Sequence, residues 1–209
     1  MSILGEAAAA LLWLATVGIM VVKTPRSVTT FYRLQALAGA GIAVVLAVHG
    51  HRTLLWVTVG LTVIVRMALI PEIVRRGLIT SRGVYSAKTP IGAGGLLMYV
   101  LVLSAAGILL GRMGMPNPTL AGLVFAAMFV SCLQLSARYE VWSMLWALLS
   151  LDTIVDVGVV MFGRAIPASV DVGFYAVSVS LALVLALVAH RIQEVHSTLD
   201  VRNLEELIG

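Results

Sequence analysis

A single cysteine, Cys132, is the whole thiol complement of the chain. No disulfide can form within it, and no CxxC pair or four-cysteine cluster exists to hold an iron–sulfur centre. Charge is just as scarce: 11% of residues are Asp, Glu, Lys or Arg, against about 25% in a soluble globular chain. Stretches of polar sequence long enough to fold into a separate catalytic domain are missing too. A helix needs about 20 apolar residues to cross a hydrocarbon core of roughly 30 Å, and such runs fill nearly all of the 209 residues. The N-terminal Met1-Ser2-Ile3-Leu4-Gly5-Glu6 sets an acid and no Lys or Arg ahead of the first apolar run. That is the reverse of a signal peptide's basic n-region, so this run is expected to be retained as a first span.

What is present is apolar, at 60% of residues. Runs fall at about Ile3 to Val22, Phe31 to Val48, Leu54 to Ile73, Ile91 to Leu110, Leu120 to Leu135, Val141 to Phe162 and Val172 to Ala189. Turn chemistry separates them: Pro25 with basic neighbours, His49-Gly50-His51, Gly111 through Pro116-Asn117-Pro118, and Gly163 through Pro167. The expected fold is all-α, a polytopic transmembrane bundle of seven helices over residues 1–190, with a cytoplasmic tail over 191–209. No internal repeat is evident.

Positive residues in short loops stay on the cytoplasmic side. One side holds Lys23, Arg26, Arg33, Arg75, Arg76, Arg82, Lys88, Arg138, Arg191 and Arg202, and the other only Arg52, Arg112 and Arg164. This imbalance predicts an N-out, C-in orientation and needs an odd number of spans. It also accounts for the pI near 9.6 as topology rather than nucleic-acid binding, and no nucleic-acid partner is expected.

Arg66 is left over, about mid-way along the third run. A lone Arg at that depth costs roughly 2.5–3.5 kcal/mol on insertion scales unless it faces protein or water, so a partner is expected. Pro71 should kink this helix and free a backbone carbonyl, and Glu72 follows near the cytoplasmic end. Asp152 and Asp156 lie in the sixth run at i,i+4 spacing, which puts both carboxylates on one helical face. Two nearby carboxylates in a low dielectric resist simultaneous ionisation, so the pair is expected to share a proton that exchanges readily. Thr153 and Ser150 stand beside them to carry hydrogen bonds or water. The candidate relay set is therefore Asp152, Asp156, Arg66 and Glu72, and the competing reading is a static pair neutralised by Arg66 or another subunit.

The four histidines do not make a haem site: His49 and His51 fall in an outer loop, and His190 and His196 at or beyond the end of the last run. Trp13, Trp56, Trp142 and Trp146, with the nine Met residues, are expected to pack helices or sit in interface belts. Gly39, Gly41, Gly92, Gly94 and Gly95 are candidates for close helix approach. Neither a metal, a cofactor nor a catalytic centre of its own is expected. In the polar tail, Ser197 or Thr198 would cap a short helix with Val201, Leu204 and Ile208 on one face, suited to docking on a partner.

That tail, His196-Ser197-Thr198-Leu199-Asp200-Val201-Arg202-Asn203-Leu204 through Gly209, resembles the C-terminus of hydrogenase-4 component E, a membrane subunit of formate hydrogenlyase-type group 4 [NiFe]-hydrogenases. Val65-Arg66-Met67-Ala68-Leu69-Ile70-Pro71 resembles a family segment with a basic residue five before a proline, Arg replacing Lys here. Arg138 leading into a helix that carries Leu151-Asp152 is the third likeness. Component E is in turn similar, over its last helices and tail, to subunit K of respiratory complex I and the C subunit of Mrp-type antiporters. The resemblance implies a non-redox subunit of the prokaryotic cytoplasmic membrane, with antiporter-like and hydrogenase-proximal membrane subunits and lipid as partners. In it, Asp152 takes the acidic relay position, displaced by about one turn from the complex I pattern, and Arg66 that of the basic partner. One departure stands out: relatives often carry an acid in the last span, whereas Gly173 to Ala189 offers only Tyr175, Ser178 and Ser180. Rival readings are a purely structural bridging subunit, an independent transporter and a quinone site; short loops and the lack of an inverted repeat weigh against the transporter.

Overall fold

A computed structural model describes residues 3–50, 53–80, 92–113, 115–138, 140–162 and 168–196. The helices are α1 (Ile3–Val21), α2 (Pro25–His49), α3 (Leu55–Leu61), a π-helical segment (Thr62–Leu69), α4 (Ile70–Thr80), α5 (Ala93–Arg112), α6 (Pro118–Ala137), α7 (Val141–Phe162) and α8 (Ala168–His196). Among the described residues seven helices are long and apolar enough to cross a membrane, with α3, the π segment and most of α4 forming the third as Leu55–Gly77. The protein is a multi-pass membrane helical bundle. A chain that buries its backbone in lipid has few options, because every amide and carbonyl must be satisfied within the span.

Helix starts follow local chemistry. Thr24 caps α2 by accepting from the Ser27 amide at 3.4 Å, with Pro25 in the first turn where its missing N–H costs nothing. Pro118 opens α6 in the same way. The seventh span runs unbroken to His196, past the boundary expected at 190. The tail from Ser197 onward lies outside the described residues.

The centre of the bundle is formed by α2, α6 and α7, each at least half buried over its spanning window, whereas α5 and α8 are the outermost at 28%. Helix association in lipid lacks a hydrophobic drive between helices and relies on close packing of small residues. The α5–α6 pair shows this most plainly. A Cβ on Gly107 would meet Ala126 N at 2.3 Å, and one on Gly111 would meet Gly122 N at 2.2 Å. Gly107 and Gly111 form a GxxxG spacing that seats α5 directly on the α6 backbone. Of the glycines expected to do this, Gly39 does contact Val157, but Gly92 and Gly94 face open space.

The aromatic expectation also divides. Trp142 and Trp146 are fully buried, in a cluster with Tyr32, Leu149, Ile70 and Ala182; Tyr32 and Trp146 pack at 5.3 Å between ring centroids. Trp56 is half exposed, as an interface residue would be. Arg138, counted from sequence as a loop charge, is buried and donates from Nη2 to the Met20 carbonyl, one of the last-turn acceptors of α1.

Candidate functional site

Three helices meet at Arg66. The π segment carries it, α7 carries Asp152 and Asp156, and α8 supplies Tyr175 and Ser178. The π segment is wider than an α-helix, and the Ile70 amide bonds back to the Val65 carbonyl, five residues earlier. Pro71 lies immediately after this bond and cannot donate to the Met67 carbonyl, so the α-helical ladder is already interrupted here. Such single π turns concentrate at functional sites.

Arg66 is 1% exposed and bridges both acids: Nη2 lies 3.1 Å from Asp152 Oδ2, and Nη1 lies 3.1 Å from Asp156 Oδ2. Nη1 also donates to the Thr153 carbonyl at 3.3 Å. Its guanidinium carbon stands 4.9 Å over the Tyr175 ring, a cation–π contact. The two carboxylates differ in setting. Asp156 is 8% exposed, while Asp152 is 27% exposed and opens toward the outside of the bundle.

Each acid has a hydroxyl donor from α8. Ser178 Oγ donates to Asp152 Oδ2 at 2.8 Å, and Tyr175 Oη lies 3.1 Å from Asp156 Oδ2. The i,i+3 spacing on α8 thus matches the i,i+4 spacing of the acids on α7. Tyr175 Oη is also 2.6 Å from Thr62 Oγ1, which is in turn 2.8 Å from the Thr58 carbonyl. Each hydroxyl has one hydrogen, and Tyr175 Oη also lies 3.4 Å from the Thr58 carbonyl, so several arrangements are open, two of which differ at Asp156. In one, Tyr175 donates to Asp156 and Thr62 to Tyr175; in the other, Tyr175 donates to Thr62 and Thr62 to the Thr58 carbonyl. The first suits a charged Asp156 and the second a protonated one. A cavity of about 10 Å³, lined by Asp156, Thr58, Thr62, Gly39 and Val157, adjoins this end. That is room for roughly one water.

Of the four candidate relay residues, three come together. Glu72 does not join them: it engages Arg75 and Arg76, both at 2.7 Å, on the exposed side of α4. Ser180 also stays apart, donating to its own helix at Ala176. Sequence reasoning noted Tyr175 and Ser178 only as the polar residues of an acid-free span, and it missed Thr62, Tyr32 and Gln35 altogether. The matched spacing on two helices was the available signal for the first pair. Among the described residues no three His, Cys, Asp or Glu side chains gather as a metal site.

One guanidinium between two carboxylates leaves the cluster one negative charge in excess when both acids are ionised. A single proton neutralises it without moving any side chain. Chemically, the arrangement has a place for one proton, whose binding would remove the excess buried charge.

No family model, characterised protein or solved structure matches this chain.

Proposed function

We propose that this protein is a non-redox integral membrane subunit of a group 4 hydrogenase or related complex I-like assembly, moving protons or another cation as electron transfer proceeds in neighbouring subunits. The observation that carries the reading is the fully buried Arg66 held between Asp152 and Asp156 in mid-span. Ionisable residues inside a span face the bundle interior, pair with one another and mark ion or proton pathways. The two hydroxyl arrangements around Asp156 support it, since they suit either protonation state without backbone movement. In this reading Asp152, the more exposed acid, accepts and releases the proton; Asp156 tunes it; Arg66 stabilises the charged form. The membrane is the prokaryotic cytoplasmic one, and the partners are antiporter-like and hydrogenase-proximal membrane subunits. The resemblance of the tail and of the Val65–Pro71 segment to component E points the same way.

The test is to purify the full chain from native membranes in mild detergent. The reading expects hydrogenase large and small subunits and antiporter-like subunits to accompany it, with hydrogen-evolving or hydrogen-oxidising activity. Recovery of the chain alone, stable and active as a transporter, would overturn it.

A second reading is a structural subunit. It is favoured by the completeness of the Asp152 and Asp156 contacts, which join the π segment, α7 and α8 through one guanidinium. It expects Asp152→Asn to impair assembly rather than coupling.

A further inference from the structure

A second polar seam runs through the bundle on the other side of α7. It is formed by Thr16 on α1, Gln35 on α2, Ser131 and Gln134 on α6 and Ser150 on α7, all buried to 1% exposure or less. Gln35 Nε2 donates to Thr16 Oγ1 at 3.0 Å and Ser150 Oγ at 2.8 Å, and Ser150 Oγ lies 2.9 Å from Ser131 Oγ. Gln134 Nε2 donates to the Thr16 carbonyl at 2.7 Å. Both amides therefore converge on Thr16.

Their carbonyl ends do not find protein. Gln35 Oε1 and Gln134 Oε1 are buried and accept no hydrogen bond from any described residue. Leaving such an acceptor unsatisfied costs its full desolvation. Turning the amides over does not help: Gln134 Oε1 would then face the Thr16 carbonyl, and Gln35 Oε1 would approach the Ser150 carbonyl, now 3.4 Å from its Nε2. Two unpartnered acceptors in one seam, with three hydroxyls beside them, are what a buried water needs. At one end Arg138 has a buried Nη1 without a hydrogen-bond partner, beside its bond to the Met20 carbonyl. At the other end Tyr32 and Gln35 are one turn apart on α2 and face Thr153 and Ser150, one turn apart on α7; Thr153 Oγ1 lies 3.4 Å from Tyr32 Oη. Thr153 in turn gives its carbonyl to Arg66.

We propose that water occupies this seam and forms a proton-conducting file from the Arg138 end of the bundle to Thr153 and the Arg66–Asp152–Asp156 centre. Hydration of the seam stands on its own observations; its use as a conduit rests on the proton-exchange reading. Access to the centre is then unequal. Polar groups lead in from the Arg138 end, while beyond Asp156 the one-water cavity is lined largely by apolar side chains, Ile42, Ala43, Val157 and Val160 among them.

The experiment uses the full chain with Cys132→Ser, reconstituted in sealed phosphatidylethanolamine–phosphatidylglycerol vesicles, and single substitutions Ser131→Cys, Ser150→Cys and, as a control facing lipid, Leu101→Cys. Silver ion is added from either side, and remaining thiols are counted with a maleimide after denaturation. A thiol reacts as thiolate, which forms in water and not in hydrocarbon, so both seam cysteines are expected to react at least about tenfold faster than Leu101→Cys, and from the Arg138 side. A second measurement keeps the seam native: X-ray radiolysis of bound water is expected to oxidise fully buried Trp146 and Tyr32, and several-fold less in Gln35→Leu/Gln134→Leu. Seam cysteines as inert as Leu101→Cys, with Trp146 and Tyr32 unoxidised in the native chain, overturn the proposal. Neither measurement depends on the partners, so a dry seam and a wrong assembly are told apart.

Discussion

Replacing Arg66 with Met removes the cation that contacts one buried and one partly exposed carboxylate, and its cost follows from the geometry. Both acids lie 3.1 Å from guanidinium nitrogens, and at an effective dielectric near 20 two unit charges 4 Å apart attract by about 4 kcal/mol. Removing one member of a buried ion pair typically destabilises by about 3–5 kcal/mol, because it strands the other charge. Arg66→Met is expected in that range. Asp156→Asn should recover part of the loss, since it deletes the more deeply stranded charge while keeping an acceptor for Tyr175. The double-mutant cycle, read from reversible unfolding of the full chain in mixed detergent–SDS micelles, should give a coupling of about 2 kcal/mol or more. That magnitude decides the nature of the contact, because hydrogen bonds between spanning helices average only about 0.6 kcal/mol in such cycles. The same cycle with Asp152→Asn should give a smaller value, as Asp152 is 27% exposed against 8% for Asp156. Additivity within about 0.5 kcal/mol for Arg66 and Asp156 would refute the ion-paired centre.

Other expectations follow from the same contacts. Tyr175→Phe removes the donor shared between Asp156 and Thr62 and should destabilise by about 1–3 kcal/mol in the same unfolding assay. Gly111→Val drives a side chain into the Gly122 backbone, where a Cβ would already lie 2.2 Å from N; separation of α5 from α6, seen as lost spin-label or crosslink proximity between Leu110 and Leu123 positions, is the expected result, with at least about 1–3 kcal/mol lost. Glu72→Gln removes only contacts with Arg75 and Arg76 outside the Arg66 centre, so unfolding and proton exchange should match the unsubstituted chain.

Much of the fold was legible because bilayer thickness imposes a length on each apolar run, and Val141 to Phe162 was read to the residue. Helix ends extended beyond the runs, at Pro25, where Thr24 caps the start of α2, and at His196. The acid pair on α7 was legible from i,i+4 spacing, and the need of Arg66 for a partner from the cost of its burial. The α8 donors were not, since Tyr175 and Ser178 become carboxylate ligands only when α8 lies against α7 in this register. Nor was the π segment, whose i→i−5 bonding leaves no mark in composition beyond Pro71. Gln35 and Gln134 sit within otherwise apolar runs and were passed over because an amide carries no charge; their significance appears only once α2 and α6 bring them to Thr16 on α1. The α5–α6 seat at Gly107 and Gly111 was not among the glycines singled out, as glycine content shows which helices can approach closely but not which pair does.

On the proposed reading, Asp152 exchanges the proton that couples this subunit to electron transfer. The direct measurement is Asp152→Asn in the assembled complex, with subunit content confirmed by blue-native gel and redox turnover compared with proton translocation in sealed vesicles. A complex that assembles and turns over while translocation fails is the expected result; assembly with normal turnover and normal translocation would show that Asp152 is not the relay.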